Sequence, residues 1–187
     1  EEITPKKFII EYGLFTGIIS VIFGIMLYSL DAHYENSTFS QIISVLIQLS
    51  GIAMAALAFK KANSGFISLS QTLKIGTGLS LILAIISLVW LYTLTNLLEP
   101  EFYNISLEIA YNKAIESNPE VMGGLDLKGY LEASEPFLWL AYPVIMVFTL
   151  FIGFIESLTI GLIIKKKISK LLCIFLLSFH YITNRIL

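Results

Sequence analysis

"IGFIESLTIGLIIKKK", residues 152–167, decides what kind of molecule this is. A carboxylate, Glu156, stands inside an apolar run that closes on three lysines. Such a run is either a buried helix of a soluble core or the end of a membrane span with lysines at the headgroups. Composition separates the two. The chain of 187 residues is 56% hydrophobic and only 14% charged, and its mean hydropathy is +0.81. Soluble domains carry roughly 25% charged residues, so the run belongs to a membrane protein.

Working outward, three more runs match it. Apolar segments cover residues 8–30, 39–59, 72–98 and 137–164. Each supplies the ~20 apolar residues that a helix needs to cross a hydrocarbon core of about 30 Å. Strands are excluded, because an open sheet edge leaves backbone groups unpaired in lipid. The expected fold is all-α: a polytopic four-helix transmembrane bundle forming a single membrane domain over residues 1–167.

Charge orients the bundle. Lys6 and Lys7 precede the first span, Lys60 and Lys61 follow the second, and Lys165 to Lys167 follow the fourth. The long loop 99–136 holds Glu99, Glu101, Glu108, Glu116, Glu120, Asp126, Glu132 and Glu135 against Lys113 and Lys128. Lysines flanking one side place both termini in the cytoplasm and the acidic loop outside. Trp90, Tyr92, Trp139 and Tyr142 fall where an outer aromatic belt is expected. Within the loop, Phe102, Ile105, Ile109 and Ala110 have helical spacing, which suggests an amphipathic helix on the bilayer surface. Asn118-Pro119 reads as a helix restart, and Gly123-Gly124 as a break. The tail 168–187 has an apolar stretch too short to span, so it is expected as a cytoplasmic interfacial helix.

The candidates for chemistry are few. Glu156 precedes Lys165 by about 13 Å of helix, near the bilayer midplane. Gly153, Ser157 and Gly161 form a small-residue stripe beside it, a surface on which membrane helices approach closely. Glu156 therefore borders a packing face. It is either a neutral carboxyl donating an interhelical hydrogen bond or a titrating group in a transport cycle. Gly13, Gly17 and Gly24 form a second stripe on the first span. Glu11 and Lys74 each begin a span, and they either pair with each other or stay apart, with Glu11 on Lys7 at i−4 and Lys74 snorkelling. Asp31, His33 and Glu35 in "DAHYE" carry three donors, but metal sites usually draw ligands from separate elements. A solvated turn is the expectation there. The single cysteine, Cys173, offers no disulfide and no thiolate cluster. There is no nucleophile with a base, no Gly-rich nucleotide loop and no basic nucleic-acid surface.

"KKFIIEYGLFTGIIS" (6–20), "NSGFISLSQTLKIGTGLSLILAIIS" (63–87), "LEPEF" (98–102) and "SLTIGLIIKKK" (157–167) together resemble the small bacterial membrane proteins of domain-of-unknown-function family 4199. The resemblance extends over about residues 6–167, and the tail departs from it. It implies a four-span protein of the bacterial cytoplasmic (inner) membrane and carries no activity, cofactor or partner. The residues favour a non-enzymatic component that works through helix contacts, as a homo-oligomer or with other membrane proteins, in contact with lipid and without cofactor, metal or nucleic acid. The alternative is a small transporter or proton-coupled component using Glu156.

Overall fold

A computed structural model describes residues 3–34, 37–117, 124 and 126–186, with side chains as far as Ile164. The described residues are almost entirely helical and contain no strand. The helices are α1 (Pro5–Ser29), α2 (Thr38–Ala62), α3 (Leu69–Thr93), α4 (Phe102–Ser117), α5 (Leu127–Ser134) and α6 (Ala141–Ile186). Among the described residues, four segments are long and apolar enough to cross a membrane: Pro5–Ser29, Thr38–Ala62, Leu69–Leu98 and Leu127–Ile164. The protein is a multi-pass membrane protein. The Asn118-Pro119 restart and Gly123 lie outside the described residues.

Local chemistry sets the helix starts. Pro5 occupies the first turn of α1, where its missing N–H costs nothing. Ser37 caps α2 by accepting from the Ser40 amide. Ser68 and Gln71 form a reciprocal capping box at α3. The α2–α3 turn needs two left-handed residues, Ser64 and Gly65, with φ of 53° and 84°. The Gly65 amide closes that turn on the Lys60 carbonyl at 2.8 Å. α6 runs for 46 residues without a break at the three lysines, since lysine is a good helix former.

α3 is the hub, and glycines set its distances to both neighbours. Along α1, a Cβ on Gly13 would come within 2.9 Å of Ile82, and one on Gly17 would overlap Ile86. A Cβ on Gly78 would lie 2.9 Å from Ile9, so α1 and α3 run parallel. Along α6 the order reverses: Gly161 meets Thr72, Ser157 meets Gly76, and Gly153 meets Ser80. This antiparallel seam brings two backbones together through small residues. The apolar core beside it comprises Ile52, Ala55, Ala56, Phe59, Ile67, Ile75, Leu79, Ile160 and Ile164. All of these lie in the half of the bundle nearer the lysines, here called the lysine end. The opposite half, the loop end, is splayed.

Trp90 and Trp139, both expected in the outer belt, face different ways. Trp90 packs on Gly24, where a Cβ would lie 2.7 Å from the indole Nε1, and so faces the bundle interior. Trp139 is 63% exposed and points outward. In the loop, α4 does not simply present an apolar face to lipid. Phe102 stacks on His33 and Tyr34, and Tyr111 is buried with its ring 5.5 Å from that of Tyr130 on α5.

Candidate functional site

The boundary between the tight and splayed halves is polar. Gln48 of α2 donates through Nε2 to Ser80 Oγ of α3 at 2.9 Å and to the Thr149 carbonyl of α6 at 3.0 Å. Ser80 passes its own proton to the Gly76 carbonyl at 2.8 Å, which leaves a lone pair for Gln48. One amide thus joins three spans. The other buried hydroxyls of the spans bond to backbone carbonyls four residues earlier. Thr16 donates to Tyr12 O at 2.7 Å, Thr72 to Ser68 O at 3.2 Å, and Ser157 to Gly153 O. Such i−4 bonds remove the need for a partner on another helix.

Glu156 is the exception. It is 7% exposed, on the α6 face that carries Gly153 one turn above and Ile160 one turn below. Gly153 packs on Ser80 and Gln48, and Ile160 belongs to the apolar core. The carboxyl is therefore inside the bundle, about 4.5 Å along the axis from the Gly153 level. Both of its oxygens are buried with no hydrogen-bond partner. Among the described residues of the spans, no other buried side-chain polar group is left in that state. A buried carboxyl without a partner costs roughly 1–3 kcal/mol, so its presence calls for a reason.

The other sequence candidates fall out differently. Gly13, Gly17 and Gly24 all face α3, and Gly153, Ser157 and Gly161 face α3 from the other side. Both stripes are used inside the chain. Glu11 and Lys74 are not brought together: Glu11 lies 3.8 Å from Lys7 and is well exposed. The cause is helix phase, because Glu11 is about 160° around α1 from Ile9 and Gly13, which touch α3.

At the loop end, His33 and Tyr34 of "DAHYE" are held in a packed cluster, while Asp31 is exposed as a solvated turn would have it. The His33 side chain is 6% exposed, and its Nε2 lies 2.6 Å from Glu99 Oε2. Tyr34 donates its hydroxyl to Glu99 Oε1. These bonds hold the Glu99 carboxyl below its ordinary value, Tyr34 first and His33 second. They push the Tyr34 phenol up to about 12. The ring of His33 lies between Tyr28, Tyr34 and Phe102. The first loop is thereby latched to Glu99, just past the helical turn 94–98 that continues α3, with aromatic rings packed around His33. Glu35 lies outside the described residues, and no group of three His, Cys, Asp or Glu gathers among the described ones. Sequence reasoning missed Gln48 and Glu99. Gln48 was detectable as a lone amide in an apolar span. Glu99 had no local signal, since its partners are 65 and 66 positions away.

Between the latch and Gln48 the splayed helices enclose a cavity of about 430 Å³. Its wall includes His33 toward the loop end, Ser87 and Trp90 midway, and Gln48 and Thr149 at the floor. A second cavity of about 490 Å³ shares Leu27, His33, Ser44, Val45 and Ile152 with the first. It lies between the loop ends of α2 and α6. Glu156 sits one helical turn beyond the floor.

A family described as "Protein of unknown function (DUF4199)" matches residues 11–166. No curated protein and no solved structure matches the chain. The match covers most of the sequence, and the chain belongs to the DUF4199 family.

Proposed function

We propose that this member of the DUF4199 family is a small, non-enzymatic transport or proton-coupled component of the bacterial cytoplasmic membrane, with its lysine end in the cytoplasm and Glu156 as the titrating group. One observation carries the proposal. Glu156 is a buried carboxyl with no partner on either oxygen, one turn beyond the polar floor of a cavity between the splayed helices. Ionisable groups inside membranes usually mark ion or proton pathways. A structural role would call for an interhelical hydrogen bond, and Glu156 makes none. The reading in which helix contacts with partners are the function loses support as well, because the two glycine stripes are consumed between α1, α3 and α6.

The test is proton movement into liposomes containing a trapped pH-sensitive dye. Wild type should move protons down an imposed gradient. Glu156→Gln should abolish that movement at an unchanged melting temperature, since an amide cannot take up and release a proton. A Gln variant that conducts like wild type would sink the proposal.

A further inference from the structure

Among the described residues lining the 430 Å³ cavity, all but one belong to the spans or to the turn 94–98 that continues α3. The exception is His33, which comes from the loop joining α1 to α2 and stands toward the loop end. It borders the second cavity as well, beside Ala32. Residues 30–34 thus form a strap that bounds both cavities on the loop side.

The strap is aimed by its hinge and held by a single catch. At the end of α1 the Ala32 amide donates to the Leu27 carbonyl at 2.9 Å, and the Asp31 amide to the Tyr28 carbonyl at 3.1 Å. This is a Schellman turn, with Asp31 at φ 53° in the left-handed position where glycine is usual. On the other side, Glu99 follows the π turn Leu94–Leu98, closed by the Glu99 amide on the Leu94 carbonyl at 2.7 Å. Such turns are rare and recur at functional sites. The one carboxylate of Glu99 takes both strap residues, His33 through Nε2 at 2.6 Å and Tyr34 through its hydroxyl.

The closed arrangement also carries a cost that opening relieves. His33 Nδ1 is buried with no partner. That is unfavourable whether the nitrogen is an acceptor or, in a protonated ring, a donor. Swinging the strap outward hydrates it. Glu99 therefore holds the strap shut against an opposing term, which is what a two-state element requires.

We propose that residues 30–34 are the loop-side gate of the cavity above Glu156, with Glu99 as its catch: latched, the strap bars water from the loop side, and released, it admits water. As the control of a proton pathway the inference rests on the transport reading above; as a gate it is tested without proton movement. The full chain carrying Cys173→Ser and Ser87→Cys has a single thiol, placed on the cavity wall. In nanodiscs, a charged methanethiosulfonate that does not enter lipid reaches that thiol only through water.

Labelling should be slow beside that of Ser117→Cys, an exposed position of α4. Tyr34→Phe keeps the ring and removes one bond to Glu99, and it should speed labelling at position 87 about tenfold or more, the worth of one hydrogen bond to a charged group. Glu99→Ala removes both bonds and should speed it further. Neither should change the rate at position 117. Should Glu99→Ala fail to fold, Tyr34→Phe decides alone. A latch that is merely structural would lower the melting temperature and leave labelling well below it unchanged, which would overturn the inference. Labelling in the parent as fast as at position 117 would overturn it too. An indifferent labelling rate, with Glu156→Gln still abolishing proton movement, defeats the gate alone. A rate set by the latch, with proton movement insensitive to Glu156→Gln, defeats the transport reading alone.

Discussion

The two halves of the bundle are made from similar residues and built to opposite ends. At the lysine end, α1, α2, α3 and α6 close on Ile52, Ala55, Ala56, Phe59 and Ile75 with glycine and serine at every crossing. At the loop end the same four segments part around a cavity, and a latch of His33, Tyr34 and Glu99 ties their connections together. The difference lies in where small residues fall. On α6 the buried positions begin at Gly153 and continue toward the lysines, whereas Val144, Val147, Phe148 and Phe151 above them are bulky and exposed. Lipid is as apolar as leucine, so helices in a bilayer stay together only where surfaces fit closely or polar groups bond. Tight packing at one end and a gap at the other follow from that rule.

The sharpest contrast between the halves is steric. A Cβ on Gly76 would overlap Ser157 Oγ and crowd Ile52. Gly76→Val should destabilise by about 1–3 kcal/mol or more, as overpacked sites do. Val45→Ala, on the splayed wall, should change stability by less than about 0.5 kcal/mol. Thermal unfolding in one detergent checks both, and equal losses would erase the distinction between the ends.

Glu156 sharpens the comparison next, because it is a polar group placed on the tight side. Glu156→Leu removes a buried carboxyl that no partner satisfies and fills similar volume. Stability should rise by roughly 1 kcal/mol, within the range for relieving an unsatisfied buried group. A drop in melting temperature would show that the carboxyl has a stabilising partner after all.

Gln48 marks the boundary and should matter less. Gln48→Leu loses the bonds to Ser80 and Thr149, and interhelical hydrogen bonds in membranes are worth about 0.6 kcal/mol, up to about 1.7. A loss in that range, with wider hydrogen exchange in α2, is expected. An unchanged protein would mean the spans are held by packing alone.

The latch gives the smallest effect and a pH signature. Glu99 is held below its ordinary value of 4.5, so its contribution is present above that value and lost as pH falls through the lowered one. Tyr34 is raised from 10.0 to about 12, so its contribution is present below 10 and lost as pH rises toward 12. Hydrogen exchange of residues 31–34 should stay slow across neutral pH and accelerate in strong acid and strong alkali. Acceleration between pH 6 and 8 would contradict the latch.

The sequence carried the fold further than the site. Span positions, the membrane class and the family were legible, because hydropathy over some twenty residues is a strong signal. The stripes Gly13/Gly17/Gly24 and Gly153/Ser157/Gly161 were legible as packing surfaces, but not which helix each would meet. A stripe marks close approach and is blind to its partner. Glu11 and Lys74 looked like a pair because both begin a span, and only the phase of α1 against α3 separates them. Glu99, His33 and Tyr34 meet across 65 and 66 positions, a distance over which local pattern says nothing. The cavity belongs to no residue, since it comes from helices that diverge.

The transport reading depends on whether Glu156 exchanges a proton with the loop side. Infrared difference spectroscopy on protein reconstituted in one orientation reads this directly. The measured quantity is the protonated-carboxyl band that vanishes in Glu156→Gln. If the proposal holds, that band appears and disappears reversibly as the pH on the loop side is cycled, with the lysine side held constant. A band that persists unchanged at every pH would make Glu156 a permanently neutral packing residue and would contradict the account.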